Sequence, residues 1–165
     1  MKKSFIRHWR VCAGVRNIWS RPTDTTMPKA NSHPDAGADL TLPAFGLIEP
    51  QRVLAVDDLF AVVSDKFPVS PGHTLIIPRR AVTRFQELTA VEKSRLLEWV
   101  EWAQARLQQT LTPAPEAFNL GVNDGKAAGQ TMPQFHFHVI PRHSGDVADP
   151  RGGVRWVIPA KAKYW

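Results

Sequence analysis

Gln134, His136 and His138 stand at alternate positions in MPQFHFHVIP (132–141), a run that is otherwise largely apolar. If that run is a β-strand, alternation puts all three on one face and Phe135, Phe137 and Val139 on the other. A strand that buries aromatic rings below and presents imidazoles above has the form of a site floor. Three readings fit the pair. Two histidines can simply occupy a half-exposed strand. An H-x-H pair can supply two metal ligands, with His73 or His143 as a third. Imidazole, largely neutral near pH 7, can also act as a nucleophile at phosphorus. The preceding residues favour the last. Asn123, Gly125, Gly129, Gln130 and Thr131 offer main-chain N–H groups, amides and a hydroxyl, with Asp124 the one acid among them. That composition suits an anion. Gly125-Lys126 is not part of a P-loop: the glycine spacing is wrong, and Ala127 stands where Ser or Thr is needed.

The elements that must position these residues can be read along the chain. RVLAV (52–56) and LFAVVS (59–64) predict two strands of a hairpin around Asp57-Asp58. DKFPVSPG (65–72) is a loop, and HTLIIP (73–78) predicts a third strand. Thr89-Ala90-Val91-Glu92 is a capping-box pattern that opens a long helix, Ala90 to Thr110. Leu96, Val100, Ala103 and Leu107 form its core stripe. Trp99 and Trp102 lie to one side, either capping the core edge or forming a subunit interface. Pro113 and Pro115 end the helical region. FNLGVN (118–123) predicts a fourth strand, NDGKAAG (123–129) a turn-rich loop, and the histidine run holds a fifth. GVRWVIP (153–159) is a sixth strand or an ordered tail. The expected class is α+β: a mainly antiparallel, five- to six-stranded sheet with one long helix.

Bulk properties narrow the function classes. A chain of 165 residues suits one domain with a real core. Cys12 is the only cysteine, so no intrachain disulfide or cysteine metal cluster forms; this fits a reducing compartment. No apolar run approaches a membrane span. The net charge is +6, but residues 1–26 carry +5 of it through Lys2, Lys3, Arg7, Arg10, Arg16 and Arg21 against Asp24. The remaining body is too balanced for a nucleic-acid surface. Residues 1–44 are expected to be a basic leader and a flexible Pro/Ala-rich linker, with Met27 a second plausible start. Residues 45–145 are expected to be the functional domain and 146–165 a C-terminal extension.

GQTMPQFHFHVIPR (129–142) resembles the signature of the histidine triad superfamily, in which three histidines alternate with apolar residues. FPVSPGHTLIIPRR (67–80) is similar to the family's upstream segment with its own histidine, and NDGKAAGQT (123–131) is a third match. They occur in the family's order across about residues 45–145, and the resemblance is to the fragile-histidine-triad branch of dinucleoside polyphosphate hydrolases. The tail GDVADPRGGVRWVIP (145–159) looks like bacterial members of that kind.

The resemblance implies a HIT-like fold and a set of roles. His136 would attack the α-phosphorus of an adenosine nucleotide, and water would hydrolyse the covalent nucleotidyl-histidine. His73 and His138 would face the non-bridging oxygens, Asn123 and Gln130 the phosphates, and Thr131 the leaving-group oxygen. Asp65 would hold the ribose hydroxyls; Ile48, Val63 and Leu75 would form the wall around the purine. Arg142 and Arg151 are candidates for the distal phosphates. The implied substrate is diadenosine tri- or tetraphosphate. The alternatives are an adenosine phosphoramidase and a nucleotide-binding regulator with little turnover. A cytoplasmic homodimer, joined through the long helix and nearby strands, is also implied, with no nucleic-acid or membrane partner. No protein-bound metal is required, although Mg²⁺ can ride on the polyphosphate. Related bacterial proteins with structural zinc carry a Cys pair before the first strand, which this chain lacks.

The departure is Gln134, which stands where the family has its first triad histidine. A glutamine keeps the main-chain carbonyl that, by resemblance, orients the middle ring. Its amide donates and accepts as neutral imidazole does, but it cannot become a cation. The expectation is a retuned site; the competing one is a weakened enzyme that chiefly binds nucleotide.

Overall fold

The computed structural model describes residues 40–164. The leader, Met27 and most of the expected linker lie outside them. Strands β1 (Leu40–Leu42) and β2 (Gly46–Ile48) form a small antiparallel hairpin. Strands β3 (Val53–Val56), β4 (Phe60–Ser64), β5 (Thr74–Pro78), β6 (Ala117–Gly121) and β7 (Phe137–Arg142) form the main sheet. Its order is β3-β4-β5-β7-β6, and every neighbouring pair is antiparallel. Helix α1 (Ala90–Thr110) connects β5 to β6.

The central strands read as continuous apolar runs because both faces of the sheet are covered. Phe60, Val62, Ile76, Phe135 and Val139 pack toward α1 with Leu96, Trp99, Val100, Ala103 and Leu107. Ala61, Val63, Leu75 and Ile77 face the other way and pack with Leu42 and Ile48 of the hairpin. The helix begins where the capping box places it. Thr89 Oγ1 accepts from the Glu92 amide at 3.2 Å, and Glu92 Oε2 accepts from the Thr89 amide at 2.7 Å. Glu92 is buried and also binds Arg80 Nε at 2.5 Å.

Four expectations need correction in detail. Residues 40–44, expected as linker, belong to the hairpin, because Leu42 is buried in the second core. Trp99 is no edge cap; it is fully buried within the core and donates its Nε1–H to Asp57 Oδ2 at 2.9 Å. Trp102 packs partly buried beside it. The segment 153–159 is the ordered tail of the two alternatives and not a sixth strand. Residues Gly153–Val157 form a 3-10 turn and Pro159–Ala162 a short helix, α2. Gly152 and Gly153 take positive φ and bend the chain before an extended run can start. Finally, the histidine strand begins only at Phe137, so Gln134 and His136 precede it.

Candidate active site

The end of β7 and the loop before it meet the hairpin β1–β2 around a cavity of about 390 Å³. Phe45, Leu47, Ile48, Phe67 and Leu75 give it apolar walls. Asp65, Thr131, His136 and His138 supply its polar groups, and Glu49, Arg52 and Lys66 its charged rim. Phe45 meets the His136 ring edge-on, with centroids 5.5 Å apart.

His136 Nδ1 lies 2.9 Å from the main-chain carbonyl oxygen of Gln134. A carbonyl only accepts, so Nδ1 carries the proton and the neutral ring keeps a lone pair on Nε2. Among the described residues Nε2 has no protein partner. A neutral imidazole in this tautomer has an unprotonated nitrogen with the chemistry to attack an electrophile.

The Gln134 side chain is fully buried and is not among the residues that line the cavity. Its Oε1 accepts from the Ala44 amide at 2.9 Å, and its Nε2 donates to the Pro78 carbonyl at 2.7 Å. The amide thus ties the hairpin turn to the end of β5. The same residue fixes His136 through its carbonyl.

His138 opposes Leu75 across the β5–β7 ladder, beside the start of β5 where His73 stands. Gly72, just before it, has φ +84°, and a Cβ there would meet Leu111 Cδ1 at 2.7 Å, so only glycine lets this turn pack against the end of α1. The result is a row. Asp65 Oδ2 lies 3.2 Å from His73 Nδ1, and His73 Nε2 lies 2.9 Å from His138 Nδ1. The Val69 amide also approaches His73 Nδ1, at a longer 3.4 Å. The carboxylate decides the tautomer, since a bare lone pair facing it would be repelled. Asp65 Oδ1 meanwhile accepts from the Phe67 amide, so this acid also holds its own turn. Burial pushes the His73 and His138 rings toward neutrality, His138 down to about 4, helped by the neighbouring His136. His138 Nε2 is buried with no partner in the protein. Such an orphan is costly unless a ligand atom meets it.

Asp65, His73 and His138 also offer three potential metal-ligand atoms within 4.8 Å of one another. Yet the two facing ring nitrogens are at hydrogen-bond distance. A tetrahedral zinc would hold them about 3.3 Å apart. The row as it stands carries a proton between its rings.

Gln130 organises the loop before β7. Its Oε1 accepts from the Gly125 amide at 2.8 Å, and its Nε2 donates to the Thr83 carbonyl at 2.9 Å. Gln130 and Thr131 line a second cavity beside the first, while Asn123 is half-buried and lines neither. Ile48 and Leu75 line the first cavity; Val63 is buried behind that wall. Arg142 and Arg151 line neither cavity and are paired with Asp146 and Asp149. Sequence reasoning missed Phe45, Arg52, Phe67, Met132 and Arg84 as cavity residues. They converge only through tertiary packing, and no local spacing announces them.

A HIT domain model matches residues 48–145, more than half of the chain. The chain belongs to the histidine triad family. Among curated relatives, the asymmetrical bis(5'-nucleosyl)-tetraphosphatase of Schizosaccharomyces pombe is 40% identical over 82 residues, covering 50% of this chain and 44% of that protein. The bifunctional bis(5'-adenosyl)-triphosphatase/adenylylsulfatase FHIT of Arabidopsis thaliana is 36% identical over 105 residues, 62% and 57% of the two chains. This histidine triad chain therefore spans about half the length of these relatives. The solved Caenorhabditis elegans NitFhit structure superposes with a TM-score of 0.61 at 31% identity, covering 75% of this chain and 29% of that one.

Proposed function

We propose that this histidine triad protein is a nucleotide hydrolase that cleaves dinucleoside polyphosphates, diadenosine tri- or tetraphosphate, at the α-phosphate. The observation that carries the reading is the Gln134 carbonyl on His136 Nδ1, which leaves Nε2 as the attacking atom at the cavity. The names of the relatives support the substrate class.

In the first step His136 Nε2 forms a bond to the α-phosphorus and the bond to the bridging oxygen breaks. The leaving nucleotide departs with those electrons, and the ring, still protonated at Nδ1, becomes a cationic nucleotidyl-imidazole. The Gln134 carbonyl steadies that proton. In the second step water attacks phosphorus and loses one proton to solvent, the P–Nε2 bond breaks with its electrons returning to the ring, and AMP leaves. Once it takes up a proton on substrate binding, His138 Nε2 donates to a non-bridging oxygen, which satisfies an atom otherwise orphaned. An aimed donor of this kind contributes about 3 kcal/mol to the transition state. Gln130 supports the phosphates from the loop, with Asn123 behind it, Thr131 the leaving oxygen and Asp65 the ribose, whose base lies against Ile48 and Leu75 with Val63 buried behind them.

The reading includes a cytoplasmic homodimer with no metal held by the protein and Mg²⁺ arriving on the substrate. Val91 and Leu97, exposed apolar residues of α1, and the edge strand β6 support the dimer. Among the described residues no helix is long and apolar enough to cross a membrane. Chromatography of the products from diadenosine triphosphate, diadenosine tetraphosphate and adenosine phosphoramidate tests the reading. AMP with ADP or ATP is expected. Turnover of the phosphoramidate alone would make the chain a phosphoramidase, and AMP binding without any turnover would make it a nucleotide-binding regulator.

A further inference from the structure

The cavity beside the histidines is not the whole of the concave surface. A second cavity of about 620 Å³ is lined by Thr83, Arg84, Lys126, Gly129, Gln130 and their neighbours through Pro133. The two share Thr131 and Met132, and His136 and His138 line the first beside that boundary. Their charge differs. In the first, the two cations are matched by two acids, Glu49 and Asp65. The second is lined by Arg84 and Lys126 with no acid in its walls. Asp124, outside the lining, holds only Arg84 Nε, at 2.9 Å. Lys126 is exposed and makes no ion pair among the described residues.

The backbone makes room for this charge. Gly125 has φ +105°, and a Cβ there would lie 2.9 Å from Arg84 Cζ. Any other residue at that position would be strained and would push the guanidinium aside. Asp124 also accepts from the Phe85 amide at 3.0 Å, which anchors the 84–85 segment to the loop. Thr83 is held by the same loop through Gln130 Nε2.

We infer that this second cavity is the leaving-group subsite of the proposed hydrolase, with Arg84 and Lys126 reading the phosphates beyond the scissile bond. A linear substrate attacked at His136 has one nucleoside in the apolar cavity and must send the rest of its phosphate chain past Thr131. There it meets the positive charge of Arg84 and Lys126, set beside Met132 and Pro133. The subsite therefore selects by phosphate number. A substrate expelling a nucleoside triphosphate gains more than one expelling a diphosphate, and one expelling ammonia gains nothing.

The inference rests on the hydrolase reading, and kinetics can separate the two. The experiment measures kcat/KM for diadenosine tetraphosphate, diadenosine triphosphate and adenosine phosphoramidate, at low and high salt, in wild type, Lys126→Ala, Arg84→Met and the double variant. Lys126→Ala keeps the test valid if loss of the Arg84–Asp124 pair disturbs the loop. The tetraphosphate-to-phosphoramidate ratio is expected to fall about 3- to 10-fold per charge removed, as partly screened contacts do. The triphosphate should lose less. The salt dependence of the wild-type KM for the tetraphosphate should shrink in the double variant. An unchanged ratio, or an equal fall for all three substrates, overturns the subsite. Wild type that turns over none of them overturns the hydrolase reading and the subsite with it, a distinct result.

Discussion

Gln134 acts on His136 at 2.9 Å through its main-chain carbonyl, while its side chain reaches away to Ala44 and Pro78. The first position of the triad is thus both the support for the His136 ring and the tie that holds the hairpin over it. The support needs no imidazole, and the tie needs one acceptor and one donor, which an amide supplies.

Gln134→Ala should expose both functions. It removes a fully buried amide and leaves the Ala44 N–H and the Pro78 carbonyl without their partner. A cost of about 2–4 kcal/mol is expected by denaturant unfolding. The rate should fall by more than 10-fold, because Phe45 and the carbonyl lose their setting. Gln134→His restores one donor and one acceptor and should return activity to within about 10-fold of wild type. A gain well beyond that would show that glutamine had weakened the site.

The Asp65–His73–His138 row predicts a proton balance. With Asp65 charged and both rings neutral, His73 Nδ1–H faces the carboxylate, His138 Nδ1–H faces His73, and His138 Nε2 is a bare lone pair. A phosphate oxygen at Nε2 requires a proton there, so binding takes one up. Calorimetry of AMP binding above pH 7.5, beyond the phosphate's own titration near pH 6, in buffers of differing ionisation heat, should show uptake approaching one proton. Asp65→Asn should reduce it. Zero uptake with constant affinity from pH 7.5 to 9 would refute the row.

The same rings govern acid stability of the free protein. His138 is held down to about 4 in the fold, against 6.5 when unfolded, by burial and by His136 and His73. The folded state thus binds fewer protons, so its stability is fully present above pH 6.5 and drains as pH falls toward 4. A melting-temperature profile should show this decline, and His138→Asn should flatten it. A profile unchanged by that substitution would contradict the assignment.

Much of the fold was legible because local signals and packing agree. The runs 59–63 and 75–78 are apolar throughout since α1 covers one side of β4 and β5 and the hairpin the other. The capping box placed the start of α1 because Thr89 and Glu92 satisfy each other locally. The site was legible where chemistry is local: His136 and His138, two apart, both line the cavity. It was not legible where contacts are long-range. Nothing near Arg84 announces Gly125, and nothing near Ala44 announces Gln134. The tail misled because VRWVI has a strand's composition, while two positive-φ glycines and Pro159 turn it helical.

Asp57 predicts a structural loss distant from the chemistry. Its Oδ1 accepts from the Leu59 and Phe60 amides, and its Oδ2 from Arg95 and Trp99. Burial raises its pKa, but these donors outweigh it and the net direction is down. Asp57→Ala should cost about 2–4 kcal/mol and leave the buried Trp99 N–H unpaired. Unfolding in urea checks this. A loss below 0.5 kcal/mol would mean that Asp57 does not hold α1 to the β3–β4 turn.

The central claim is that His136 attacks the α-phosphorus. Its most direct test is hydrolysis of diadenosine tetraphosphate by wild type and His136→Ala, with AMP binding measured in both. The account predicts AMP and ATP from wild type, a loss of at least about 1,000-fold in the variant, and AMP affinity retained. A variant that still cleaves the substrate at near wild-type rate would contradict it.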